Sequence, residues 1–378
     1  MASGASPSAA ATAGAAAATA RWPRHRSRVR LPNGLTVACI SRRDVPFLYQ
    51  EVWERRCYLR HAELPPGGTV VDVGSNIGLF ALQAAEALGP QGLVVACEPL
   101  PPTFDCLQHN IAEHRRWTQQ RQAQARDQTH AQQQAQVQQQ QQQQDSSHGR
   151  GTASSAASQC PALIVALCAG VSDGSASAAE FTLYPRAAGW SSLRPAPAEE
   201  MQASMAAFLD NALASPAASA AAGLDPRTAA AARWLRVAAP AWAFAAARRA
   251  AVGFMLGGAQ RYTCPLLSVR QLVRGSPHDG GPAGRGLDSA AGQAVAGLGL
   301  ARRGIDLLKV DVERAELDVL RGVGDCWPLV RQAVLEVHAE HLGEVLRILR
   351  HEAAFRDILV EEDALLKGAG IYSVFCRR

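Results

Sequence analysis

With 378 residues the chain has room for two domains, or for one domain carrying long insertions. Hydrophobic residues make up 48% of it, but much of that is alanine and only 6% is aromatic, so a core has to come from the Val/Leu/Ile segments. The net charge of +5 is mild and no dense Lys/Arg run is interleaved with aromatics, which leaves nucleic-acid binding without support.

Residues 1–43 contain no acid and carry Arg21, Arg24, Arg26, Arg28 and Arg30 among Ala and Ser. Residues 1–30 are expected to form a disordered or transit-like leader. That composition points to an organelle, chloroplast or mitochondrion, and otherwise to the cytoplasm. No apolar h-region follows a charged start, so a secretory signal is not expected. The main domain is expected over 31–378. Leu31–Ile40 reads as a hairpin or strand. Residues 46–62 read as a helix with Phe47, Leu48, Val52, Trp53 and Tyr58 on its apolar face, placed to lie over a pocket.

Val70-Val71-Asp72-Val73-Gly74-Ser75-Asn76-Ile77-Gly78 is the strongest local signal. A β-branched run ends in Asp-x-Gly-x-x-x-Gly and an apolar helical pattern follows. This reads as strand, glycine turn and helix, the opening of an α/β nucleotide-binding unit. The spacing is not Gly-x-Gly-x-x-Gly, so a dinucleotide oxidoreductase is disfavoured. Leu93–Cys97 is a second buried strand that ends in Glu98 and Pro99. Glu98 lies 26 positions after Asp72, which suits one βαβ step, and an acid at that tip can accept hydrogen bonds from ribose hydroxyls.

A helix is expected near Thr103–Arg116. The Gln-rich tract that follows, with its unbroken run Gln138–Gln144, is expected to be a disordered insertion over 119–158. Strands resume at Ala162–Cys168 and Glu180–Tyr184. Residues 195–258 read as an Ala-rich insertion, helical around 199–213 and 227–257. Trp234, Leu235, Trp242, Phe244, Phe254 and Met255 are available to dock it, although a loosely packed insert is the preferred reading. Its longest apolar stretch ends at Arg248-Arg249, short of the ~20 residues that span a bilayer, so no transmembrane segment is expected. Tyr262–Val269 reads as strand and turn, and 275–300 as Gly-rich linker.

Ile305–Val310 is an alternating strand that runs into a helix carrying Leu317, Leu320 and Val323. Lys309, Asp311, Glu313 and Glu316 crowd its carboxyl end, where open α/β sheets bind ligands. Ala333–His338 is another buried strand, with Glu336 and His338 at its tip. Charges are rare in buried strands, so these tips suggest a polar site. Phe355–Val360 and Ile371–Cys376 suit an antiparallel pair closing the sheet. The nine cysteines include no Cys-x-x-Cys and several lie in apolar strands, so they read as reduced thiols of a reducing compartment. His338-Ala339-Glu340-His341 has the wrong spacing for two ligands on one helix face, and no metal site is expected.

The pieces Val71–Gly78, Cys97-Glu98-Pro99, Ala169–Gly174, Gly189–Leu193, Ile305–Leu317 and Leu335–His338 occur in an order that resembles the FkbM family of S-adenosylmethionine-dependent methyltransferases. The resemblance implies a Rossmann-like class I methyltransferase sheet, mostly parallel with a C-terminal antiparallel strand, carrying disordered or helical insertions. It implies S-adenosyl-L-methionine as cofactor, held by Asp72, Gly74, Ser75, Asn76, Gly78, Glu98, Pro99 and Ala169. It further implies methylation of a hydroxyl on a small molecule or sugar, with Asp311 or His338 taking the proton and Glu313, Glu316 and Glu336 orienting the acceptor. Two positions depart from the family pattern. Arg314 stands where the family has glycine in Asp-x-Glu-Gly-Ala-Glu, and Ser268 stands where it has aspartate. These departures, with the large insertions, keep a catalytically weak, cofactor-binding or scaffold relative as the alternative.

Overall fold

The computed structural model describes residues 27–143, 160–275 and 297–378. The expected leader as far as residue 26, the end of the Gln-rich insertion at 144–159 and the linker at 276–296 lie outside the described residues.

Order begins earlier than the sequence suggests. Strand β1 (Ser27–Arg30), assigned above to the leader, pairs antiparallel with β2 (Thr36–Cys39) around a turn at Asn33-Gly34. Helix α1 (Asp44–Tyr49) continues in wider turns through Gln50–Glu54, where Arg55 N–H bonds the Gln50 carbonyl. The chain then reverses at Arg56, so the expected helix over 46–62 stops short. The wide turns bring Glu51 to the buried side beside Val52.

The βαβ reading holds through β3 (Thr69–Val73), α2 (Leu79–Leu88), β4 (Leu93–Cys97), α3 (Pro101–Gln143) and β5 (Leu163–Leu167). A small sheet follows, of β6 (Gly170–Val171), β7 (Ala178–Leu183) and β8 (Gln260–Leu267). Between β7 and β8 lies the insertion, built of α4 (Ala198–Ala212), α5 (Pro216–Ala221), α6 (Pro226–Ala238) and α7 (Ala241–Leu256). After α8 (Val269–Arg274) come β9 (Leu307–Val310), β10 (Gln332–His338), β11 (Asp357–Glu361) and β12 (Ile371–Arg377).

The central sheet has seven strands in the order β11-β12-β10-β9-β3-β4-β5. Strands β10, β9, β3, β4 and β5 are parallel, and β12 alone runs antiparallel to both its neighbours. The molecule is therefore mixed α/β around a large, mostly parallel sheet. Alternate residues feed two cores. Val71, Val95, Leu308 and Leu335 pack on one face, and Val70, Val94, Leu307 and Val334 on the other with α2. A sheet covered on both faces needs such continuous apolar strands. The chain leaves β3 toward β4 on one side and returns to β9 on the other, which opens a crevice at the carboxyl ends of β3 and β9.

Two insertions differ from expectation. Residues 119–143, within the expected Gln-rich insertion, continue α3 as helix. The first turns of α3 bury Cys106, Leu107, Asn110, Ile111 and His114. A helix nucleated on packed turns propagates readily through glutamine, a good helix former. In the Ala-rich insertion the two tryptophans do not dock, whereas Met255 packs on the domain and Phe254 lies under Arg43 and Arg186. Trp234 is 71% exposed and Trp242 is 76% exposed. Met201, Met205 and Val252 pack instead on Tyr184 and Ala187, and Pro240 splits the second helical stretch in two. No helix among the described residues is long and apolar enough to cross a membrane.

Candidate functional site

At the tip of β3 the Gly74 and Ser75 N–H groups both donate to the Cys97 carbonyl, which bends the chain away from the sheet. Gly74 has φ +78°, and a Cβ there would run into the Asp311 carbonyl at the tip of β9. Only glycine satisfies both demands. The two tips thus press together and form the floor of a cavity of about 680 Å³. Gly74, Asn76, Glu98, Pro99, Asp311 and Glu313 line it, together with an apolar wall from Leu100, Val171 and Phe181.

Glu98 is 5% exposed, and its two oxygens accept from Asn76 N–H and Leu100 N–H, each at 3.0 Å. Burial pushes its pKa up to about 7, against those two donors and the more distant Lys309. The carboxylate is therefore fixed in orientation but close to protonation.

The other residues expected at the cofactor do not line this cavity. Asp72 is fully buried beneath it, 3.2 Å from Lys309 Nζ. Burial raises the Asp72 pKa and Lys309 opposes the rise. Ser75 Oγ donates to the Asp72 carbonyl at 2.9 Å. Gly78 caps α2 in a left-handed conformation against Leu107. Ala169 faces the core, and its neighbours Gly170 and Val171 reach the cavity instead.

Lys309 holds the acid side together. Its Nζ donates to the Gly74 carbonyl at 2.8 Å and lies 3.4 Å from Asp311 Oδ2. Burial works against its charge, but Asp72 and Asp311 outweigh it and hold its pKa above the ordinary lysine value. Tyr58 OH donates to the same Oδ2 at 2.8 Å. Both contacts engage Oδ2, and Oδ1 has no side-chain partner among the described residues.

His338 does not suit the role of base. Its Nδ1 lies 2.7 Å from Glu316 Oε1 and its Nε2 lies 3.5 Å from Glu313 Oε2. Burial lowers its pKa, but Glu313 and Glu316 together push it up to about 10. An imidazolium at neutral pH has no lone pair to accept a proton. Glu316 is fully buried, not the helix-surface carboxylate that its place in the first turn allows. It also accepts from His341 Nδ1 at 2.7 Å and from Arg314 N–H at 3.1 Å. Glu336 and His338 stand outside the large cavity, and Glu336 lines a second one.

Both departures from the family pattern have structural accounts. Ser268 caps α8, accepting from Gln271 N–H while Gln271 returns a bond to the Ser268 N–H, a role that aspartate fills equally well. Glu313 and Arg314 have φ +47° and +74°, so the family's glycine matches a left-handed position. The Arg314 side chain leaves the cavity for Glu200 on α4, at 3.1 Å, and for Glu340, at 2.6 Å. Ser192 Oγ donates to the Glu313 carbonyl and fixes the same loop.

Sequence reasoning missed two participants. Tyr58 falls on the apolar face of 46–62, and only its hydroxyl reaches Asp311. Glu51 lines the second cavity with Glu336, and an acid beside Val52 in a segment expected to cover a pocket is the signal for it.

The Methyltransferase FkbM domain family matches residues 295–356, the segment that holds β9, Asp311, Glu313, Glu336 and His338. The 31-O-demethyl-FK506 methyltransferase FkbM of Streptomyces tacrolimicus is 30% identical over 354 residues, covering 93% of this chain and 96% of that protein. The AMB antimetabolite synthetase AmbE of Pseudomonas aeruginosa is 28% identical over 368 residues, 93% of this chain but 12% of the synthetase. Methyltransferase sdnD of Sordaria araneosa is 38% identical over 78 residues, 21% of this chain and 29% of that protein. No solved structure gives a significant match.

Proposed function

Because the chain belongs to the FkbM methyltransferase family, we propose that it is an S-adenosylmethionine-dependent O-methyltransferase acting on a hydroxyl of a small molecule or sugar, on a Rossmann-like class I sheet. The observation that carries this reading is Glu98. It stands at the tip of the strand beside the glycine turn, locked by two backbone donors and aimed into a cavity whose far side is acidic. Such a carboxylate suits two vicinal ribose hydroxyls. The apolar wall of Leu100, Val171 and Phe181 suits an adenine ring, and the slot above Gly74 suits the methionyl arm.

The cofactor supplies an electrophilic methyl carbon on a sulfonium. The protein's task is to hold an acceptor oxygen in line with it. When the acceptor oxygen takes that methyl group, its hydroxyl proton would have to pass to a group of the protein. Asp311 Oδ1 is the acceptor for that proton, while Tyr58 and Lys309 hold Oδ2 and fix the carboxylate. His338 acts through Glu313, which it anchors as an imidazolium. Calorimetric titration with S-adenosylmethionine, followed by mass-spectrometric screening of hydroxylated acceptors for a gain of one methylene, tests the reading. A folded protein that does not bind S-adenosylmethionine would sink it.

A further inference from the structure

The acids on the β9 and β10 side outnumber the cations that reach them. Asp311, Glu313 and Glu336 offer oxygens that all lie within 4.8 Å of one another. Lys309 and Tyr58 serve one oxygen of Asp311, and His338 serves Glu313. Glu336 has no hydrogen-bond or ion-pair partner among the described residues.

An independent observation comes from the opposite wall. Glu51, on the wide-turned segment after α1, is only 8% exposed and likewise has no hydrogen-bond or ion-pair partner among the described residues. Glu51 and Glu336 both line a small second cavity, whose wall also includes Tyr58, Arg55 and Asp363. Arg55, the nearest candidate counter-ion, is paired with Asp363 at 2.7 Å. A desolvated carboxylate with no donor is costly unless it takes a proton or a cation. Three carboxylates converging from the ends of two neighbouring strands, with the unpartnered Glu51 on the wall they share, are a donor set for a cation.

We propose that Asp311, Glu313 and Glu336, backed by Glu51, form a site for one hard divalent cation, Mg²⁺ or Mn²⁺. The donor set is three carboxylates with no thiolate or imidazole, which favours those ions over zinc or copper. The site borders the methyl-donor cavity, because Asp311 and Glu313 line both the cluster and that cavity. An acceptor hydroxyl bound to the cation would be fixed in direction beside the methyl-donor cavity. That role rests on the methyl-transfer reading; the binding itself does not.

The test is titration of Mn²⁺ into the full chain, followed by the electron paramagnetic resonance of the free ion, with Mg²⁺ as competitor. The expected result is one saturable site. Glu336→Gln weakens it by at least roughly tenfold and Glu51→Gln by less, since Glu51 backs the trio. Mg²⁺ raises the melting midpoint of the wild-type chain and not that of Glu336→Gln. S-adenosylmethionine titrated into the same samples is read separately. Its binding without Mn²⁺ binding overturns the cation site and spares the methyl-transfer reading, and the converse spares the cation site alone. No saturable Mn²⁺ binding to wild type at millimolar ion, or binding indifferent to both substitutions, means that the acids share protons instead. If Glu336→Gln does not fold, the wild-type titration and Glu51→Gln decide.

Discussion

Glu98 and Glu336 sit at strand tips on opposite sides of β3 and meet burial in opposite ways. Glu98 is given two backbone N–H donors, so the cost of taking it from water is offset in advance. Glu336 is given none, and its neighbours Asp311, Glu313 and Glu51 carry the same charge. The first arrangement is complete without a ligand and has room to accept neutral hydroxyls. The second is incomplete and calls for a proton, a cation or a substrate donor. On the methyl-transfer reading proposed above, the crevice divides into a half that binds and a half that reacts, with desolvated acids of different neighbours doing different work.

The reactive half gives the largest expected effect. Asp311→Asn keeps the hydrogen bond from Tyr58 but removes the proton acceptor. Turnover should fall roughly 10²–10⁴-fold, the usual range for a positioned base, while S-adenosylmethionine affinity measured by calorimetry stays within about twofold, well below the tenfold that ~1.4 kcal/mol represents. If affinity falls as far as turnover, Asp311 belongs to the binding half and the division fails.

The binding half gives the next. Glu98→Ala should weaken S-adenosylmethionine binding by about 1–3 kcal/mol, the cost of unpaired ribose hydroxyls and of two orphaned backbone donors. Unchanged affinity in a folded variant would remove Glu98 from the cofactor.

A smaller effect follows from protonation. Glu98 titrates near 7 in the empty protein because burial disfavours its charge. Ribose hydroxyls donate to the ionised form, so affinity should fall as pH drops from 8 to 6, by about tenfold at one unit below the pKa. The stability sign is opposite. A folded-state pKa above the unfolded one means that the fold binds more protons between the two values, so Glu98 favours folding at low pH and that contribution is lost as pH rises through 7. Weaker binding at pH 6 together with an undiminished melting midpoint is the expected signature, and Glu98→Gln should flatten the affinity profile.

Much of the frame was legible because strands buried on both faces are continuous apolar runs. Val70–Val73, Leu93–Cys97, Leu307–Val310 and Ala333–Val337 announce themselves. The relation of Asp72 to Lys309 was not legible. They lie side by side in register on β3 and β9, and nothing local says that those strands are neighbours. The same distance hid the fate of His338, whose base-like identity is reversed by two glutamates from another segment. Composition does not announce the helix that runs into the Gln-rich tract, because it starts on packed turns upstream, at Cys106, Leu107 and Ile111.

The smallest effect concerns Arg314, the residue that joins the acid loop to the insertion. A non-glycine residue at φ +74° costs about 1–3 kcal/mol, and glycine would relieve it. Glycine also gives the unfolded chain more freedom, a loss of about 0.4–1 kcal/mol. Ion pairs to half-exposed Glu200 and Glu340 add at most about 1 kcal/mol each. These terms nearly cancel, so Arg314→Gly should change stability by less than about 1 kcal/mol. Arg314→Ala removes the same ion pairs and keeps the strain, so it should be the less stable of the two by about 1 kcal/mol. Both variants free Glu200, and amide exchange across Ala198–Ala212 should quicken in both, while S-adenosylmethionine affinity, set in the other half of the crevice, should not move. Equal stability of the two variants would show that the left-handed backbone at this position carries no strain. Unchanged exchange would show that Met201 and Met205, not the arginine, hold the insertion in place.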